Sequence, residues 1–222
     1  MLGSATRVRL GAAALAVAGV LFILYPTVRP YHDESTEDGA IRSMSSGAWV
    51  AAHLFAMIGF ILIPLGLLAL WYAVGRTRVE RLAFLAVVVA WVGSGLTLTY
   101  YGGEDFALNA IATKAKKDRS IDLVDLADAV RSHPVGATVF ALGLALLGVG
   151  AILVSIAIWR SSVLPRYSGI PFAVGMALFI PQFYAPAVVR MIHGAVVAAG
   201  LVWIGAVLWR EAHRSDRARS AE

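Results

Sequence analysis

No cysteine occurs in the 222 residues of this chain, and that absence removes disulfides, thiolate metal sites and a cysteine nucleophile together. Charge is scarce as well. Asp, Glu, Lys and Arg make up 15% of the residues, against about 25% in ordinary soluble domains. There is no Gly-x-Ser-x-Gly elbow, no Gly-x-x-x-x-Gly-Lys phosphate loop and no Gly-x-Gly-x-x-Gly turn, which excludes an ATP-driven pump and the common nucleotide-binding and serine-hydrolase designs. Basic residues interleaved with aromatics on a soluble face are also lacking, so nucleic acid is not expected as a partner.

What remains is apolar. The hydrophobic share is 59% and the mean hydropathy +0.75, above the roughly 45 to 50% of soluble domains. Six runs carry it, at about 10–27, 48–74, 82–101, 135–159, 168–184 and 186–209. A helix needs about 20 apolar residues to cross the hydrocarbon, so the expected fold is all-α: a polytopic membrane helix bundle with six transmembrane helices in a single integral membrane domain over 1–222. Between the second and third runs, Gly75 to Arg81 is short enough to force an antiparallel hairpin. The first run follows Arg7 and Arg9 and contains Ala16-Val17-Ala18, as a signal peptide would. Cleavage there would leave Val20-Leu21-Phe22-Ile23-Leu24 at the new terminus, so a retained helix is expected.

With a cytoplasmic amino terminus, the inner segments hold eleven of the 19 Lys and Arg residues, among them Arg76, Arg78, Arg81, Arg160 and Arg166, but only Glu80, Glu211, Asp216 and Glu222 of the 14 acidic ones. This bias predicts that both termini are cytoplasmic. The pI near 9.8 is read as orientation. Aromatic residues at the span ends, Trp49, Trp71, Tyr101, Trp159 and Trp209 among them, suit the headgroup level.

Two outer segments are longer. His32 to Gly39 reads as a solvated acidic loop. The stretch of about 104–131 sets Leu123, Leu126, Ala127 and Val130 against Asp122, Asp125 and Asp128, which is helical amphipathic spacing. Its acidity disfavours anionic lipid and favours a cap over the bundle mouth. Within the spans, Gly93, Gly95, Gly143, Gly150 and Gly194 offer surfaces for close helix approach. Pro64, Pro171 and Pro181 are expected to bend or end helices, and Pro186 suits the first turn of the last one.

Ionisable residues at membrane depth turn toward partners or water. His53, His133 and His193 each fall near the outer start of the second helix of a pair. Tyr101, Glu104 and Asp105 reach the same level from the third helix, and Arg190 shares a face with His193. These positions predict an outward-facing polar pocket between the second, third and sixth helices, with His53, Tyr101, Glu104, Asp105, Arg190 and His193 binding a small-molecule ligand. Arg190 would hold an anionic group, or pair with Glu104 or Asp105. An alternative is a membrane-embedded enzyme with a metal on His53, Glu104, His133 and His193, since imidazole and carboxylate suit zinc or iron. No local His-Glu-x-x-His pair supports it, so no cofactor is assigned. A third reading is a structural or accessory subunit whose polar groups lock the helices. His32 and His213 carry no weight in any of them.

The stretch Arg29-Pro30-Tyr31-His32-Asp33-Glu34-Ser35, followed by Trp49-Val50-Ala51-Ala52-His53 and a long apolar helix, resembles small multi-span membrane proteins of actinobacteria. Sixteen arginines against three lysines fit the codon usage of such GC-rich genomes. The resemblance covers the first two helices and implies a plasma-membrane location without an activity.

Overall fold

A computed structural model describes residues 4–219, and these fold as an all-helical bundle. Helix α1 spans Ser4–Val28, α2 Glu37–Met44, α3 Gly47–Val74 and α4 Glu80–Gly102. A π-helical turn, Gly103–Ala107, leads from α4 into α5, Leu108–Ala115. Then follow α6 (Leu123–Arg131), α7 (Pro134–Ser161), α8 (Ile170–Ala177), a 3-10 turn at Pro181–Tyr184 and α9 (Ala187–Arg219).

Six of these helices close a ring: α1 packs on α3, α3 on α4, α4 on α7, α7 on α8, α8 on α9 and α9 back on α1. In the middle Phe22 meets Phe60 and Phe179 edge to face and the latter two tilt against each other, with ring centroids 5.1 to 6.0 Å apart. Backbones approach closely where side chains vanish. A Cβ on Gly93 would lie 2.8 Å from the carbonyl oxygen of Gly143, so α4 and α7 touch there backbone to backbone. Gly95 faces open space and takes no part in this contact. Gly194 meets Phe22 and Gly205 meets Ala12, so α9 runs antiparallel to α1 and Ser4 lies at the same end of the bundle as Arg219.

Five helical stretches are long and apolar enough to cross a membrane: Ala5–Val28, Gly47–Val74, Glu80–Ala115, Pro134–Ser161 and Ala187–Arg214. Such a bundle is compatible with a multi-pass membrane protein. The run 168–184, expected as a sixth span, is broken. Pro171 opens α8 and Pro181 opens the 3-10 turn; the last α-type bond of α8 runs from the Leu178 N–H to the Val174 carbonyl, the Phe179 N–H turns to Met176, and Pro181 has no N–H with which to resume the ladder. The third run extends beyond the expected 82–101, through the π turn and on to Ala115.

At the end where α3 begins, α2, α5 and α6 form a cap with its own apolar core of Ala40, Ile41, Met44, Leu108, Ala112 and Leu123. Trp49 belongs to that core and is fully buried. Its ring therefore packs inside the protein and does not face the perimeter. Of the amphipathic stripe, Leu123 and Ala127 are buried, whereas Leu126 stays exposed.

Candidate functional site

Ser46 caps α3, its Oγ accepting from the Trp49 N–H at 3.1 Å. That start sets Trp49 and His53, one turn apart, toward the bundle interior. His53 Nδ1 donates to the Trp49 carbonyl at 2.8 Å. A carbonyl only accepts, so in the neutral ring Nδ1 holds the proton and Nε2 keeps its lone pair. Tyr25 and Tyr101 flank the imidazole with centroids 6.0 and 5.8 Å away, and the Tyr101 hydroxyl donates to that of Tyr25 at 3.2 Å. Asp105, in the π turn, is fully buried with Oδ1 4.0 Å from His53 Nδ1. Neither of its oxygens has a hydrogen-bond partner. Inserted π turns recur at functional sites because they re-aim the residues they carry.

Above this group runs a chain of charges. Arg29 donates to Glu34 Oε1 at 2.7 Å, Arg131 Nη2 to Glu34 Oε2 at 2.8 Å and Arg131 Nε to Glu104 Oε1 at 3.1 Å. Burial acts to lower the Arg131 pKa, but Glu104 and Glu34 outweigh it and hold the guanidinium above its ordinary value. Trp49 lies beneath both arginines, 5.0 Å from the Arg29 guanidinium and 5.9 Å from that of Arg131. Two arginines and two glutamates thus satisfy one another.

Arg190 is different. Its Nε donates to Gln182 Oε1 at 3.2 Å, and the guanidinium lies 5.4 Å from the Tyr31 ring and 5.6 Å from that of Phe183. No carboxylate comes within ion-pair distance of it among the described residues. Burial pushes the Tyr31 phenol up, an effect that the Arg190 and Arg29 charges partly offset. These groups surround a cavity of about 660 Å³, within the range of about 300 to 1,000 Å³ typical of ligand sites. Its polar side comprises Arg29, Tyr31, Glu34, Glu104, Arg131 and Arg190, with His53 and Tyr25 also facing it. The remaining wall is largely apolar, drawn from α7 and the segment 180–184.

Of the six residues expected to bind a ligand, His53, Glu104 and Arg190 line this cavity. Tyr101 and Asp105 pack against His53 without lining it. His193 points elsewhere: its Nε2 donates to the Gly175 carbonyl at 2.7 Å, and its ring meets Phe179 edge on. That carbonyl belongs to the last turn of α8, where helix oxygens lack partners of their own. The pairing of Arg190 with Glu104 or Asp105 does not occur, because Arg131 takes Glu104 and Gln182 takes Arg190.

The residues His53, Glu104, His133 and His193 are not gathered as a metal would require. His133 caps α7, its Nδ1 accepting from the Gly136 N–H at 3.3 Å. Among the described residues no three His, Asp or Glu side chains come together in a metal-holding group. Sequence reasoning missed Arg29, Tyr31, Glu34 and Arg131, and it set aside His32, which also lines the cavity. The first three lie in the segment Arg29 to Ser35 that follows α1. Arg131, just before Pro134, reads as an ordinary charge beside a span.

Comparison with protein-family models, with curated proteins and with solved structures finds no match to this chain.

Proposed function

We propose that this chain is a multi-pass protein of a bacterial plasma membrane that binds or passes a small anionic ligand at the cavity beneath the cap. The carrying observation is Arg190, a guanidinium facing the cavity with no carboxylate of its own among the described residues, while the four neighbouring charges are paired among themselves. A cation in that setting is unbalanced until an anion arrives. His53, with Nε2 free to accept, is the hydrogen-bond or proton partner in the same cavity.

The broken segment 162–186 serves as the fifth of six passages, and the cap lies outside. The arginines at the uncapped end, Arg7, Arg76, Arg78, Arg81 and Arg160 among them, support cytoplasmic termini. The resemblance to actinobacterial proteins supports the plasma membrane.

Thermal melting of detergent-purified protein against phosphate, acetate and chloride tests the reading. Stabilisation grows with the logarithm of ligand concentration, reaching about 2.7 kcal/mol at a hundred times Kd. Arg190→Ala is expected to abolish it while leaving the unliganded melting temperature in place. If no anion stabilises the wild type and Arg190→Ala melts lower unliganded, Arg190 is a helix lock and the reading fails.

A structural or accessory subunit is the second reading. The closed pairing of Arg29, Glu34, Arg131 and Glu104 favours it, since a satisfied network fixes geometry without needing a ligand.

A further inference from the structure

The cavity is polar on one side only. Phe140, Ala141 and Leu144 from α7 face Ile180, Phe183 and Tyr184 across it. Several of these wall residues are not closed in by other parts of the bundle: Ala141 and Ile180 are exposed, and Tyr184 is 89% exposed. The reason lies in the ring. Helix α8 has 8 residues against 28 in α7, so at about 1.5 Å per residue it fills only some 12 Å between α7 and α9. Toward the cap the ring is completed by the residues after Ala177 and a single 3-10 turn. The apolar wall is therefore continuous with surface that a bilayer would cover, and it ends at the Arg190 guanidinium, which stacks near Phe183.

A ligand that is polar throughout would leave this wall unused, and a plain hydrocarbon would leave the charge unanswered. Resting on the anion-binding reading above, we infer that the ligand is an amphiphile, an alkyl chain ending in a phosphate or carboxylate, which enters sideways between α7 and the 180–184 turn. The head group meets Arg190, with Tyr31 and His53 beside it. The chain lies along Phe140, Ala141, Leu144 and Ile180. Lipid tails are as apolar as this wall, so the chain gains little by leaving the bilayer. The head group supplies selectivity, and the chain supplies the route.

Melting curves in a non-ionic maltoside detergent, with dodecyl phosphate, dodecanoate, zwitterionic dodecylphosphocholine and inorganic phosphate as probes, test this. The expected result is half-maximal stabilisation by dodecyl phosphate or dodecanoate at a concentration at least tenfold below that of inorganic phosphate, with dodecylphosphocholine weaker. Arg190→Gln is expected to abolish the effect of every anion. Ala141→Trp, which fills the sideways mouth, is expected to abolish the effect of the alkyl anions and leave that of inorganic phosphate. Ile180→Trp blocks the same mouth from the facing wall and carries the test if Ala141→Trp does not fold.

Equal potency of phosphate and dodecyl phosphate, both insensitive to the tryptophan variants and both lost in Arg190→Gln, would overturn the amphiphile and leave the anion site standing. Dodecylphosphocholine as potent as dodecyl phosphate would also overturn it. Stabilisation by any of these anions that survives Arg190→Gln would overturn the amphiphile and the anion site together.

Discussion

Arg131 and Glu104 meet at 3.1 Å, Nε to Oε1, and so tie the last residue of α6 to the π turn that follows α4. The same guanidinium reaches Glu34, in the loop after α1, through Nη2. One side chain thereby holds three separate stretches of sequence over the cavity.

Replacing Arg131 with Met would leave the largely buried Glu104 without its ion pair and Glu34 with Arg29 alone. Breaking such a pair costs about 3 to 5 kcal/mol when it is fully buried. The Arg131 side chain keeps 26% exposure, so a loss of about 2 to 3 kcal/mol is expected, read as a lower melting temperature. The double variant R131M/E104Q should recover part of it, because it also removes one stranded charge. Unchanged melting in R131M would show that the pairs are no more than surface contacts.

Gly93→Ala and Gly95→Ala form a matched pair. The first drives a methyl against the backbone of Gly143 and Leu147, both at 2.8 Å, and forcing α4 from α7 should cost about 1 to 3 kcal/mol. The second meets nothing within 4 Å and should be neutral or stabilising by up to about 1 kcal/mol. Equal melting of the two variants would contradict the contact between α4 and α7.

His193→Phe keeps a ring against Phe179 but strands the Gly175 carbonyl, at an expected cost of about 1 to 3 kcal/mol. Because His193 does not line the cavity, phosphate-dependent stabilisation should persist in this variant. Its loss would give His193 a part in the site that its geometry does not indicate.

Acid should loosen the loop after α1 in a defined way. Asp33 accepts from the Ser35 hydroxyl at 2.6 Å and from the Ser35 N–H at 3.1 Å, and these bonds hold its carboxyl below the ordinary value of 3.8. A carboxyl whose pKa folding depresses stabilises the fold above its unfolded value. That contribution fades as the pH falls through the depressed one. The contribution is therefore complete at neutral pH, and its loss is confined to the range below about 4. Ser35→Ala should raise the Asp33 pKa toward 3.8, as measured by carboxyl NMR titration, and an unmoved value would deny the bond its role.

The cysteine-free background allows sidedness to be measured directly. Lys117→Cys lies in the cap and Gly75→Cys in the turn at the far end, both exposed. In intact cells an impermeant maleimide should label the first and spare the second. The opposite pattern would invert the orientation.

Much of the helical layout was legible because apolar run length alone fixes it. The runs around 48–74 and 135–159 became α3 and α7 with ends within about two residues, the usual uncertainty of a helix boundary. The break at 177–181 was signalled by Pro181, but hydropathy does not register a missing N–H, and the run read as continuous. The lining of the cavity was legible where position along the helices decided it, as for His53, Glu104 and Arg190. It was illegible where pairing decided it. Nothing in the local sequence says that Arg131 prefers Glu104 while Arg190 turns to Gln182, since those partners are chosen by how the cap loops settle against the bundle.

The long separations within that charge chain also impose an order of assembly. Glu34 waits for residue 131 to be made, a delay of 97 positions, and Arg190 joins only with the final helix. A chain made from its amino terminus holds Glu34 with Arg29 alone, and Glu104 without its partner, until Arg131 emerges. The cavity is thus among the last features to take shape, and a protein halted before residue 190 would possess most of its walls and none of its surplus charge.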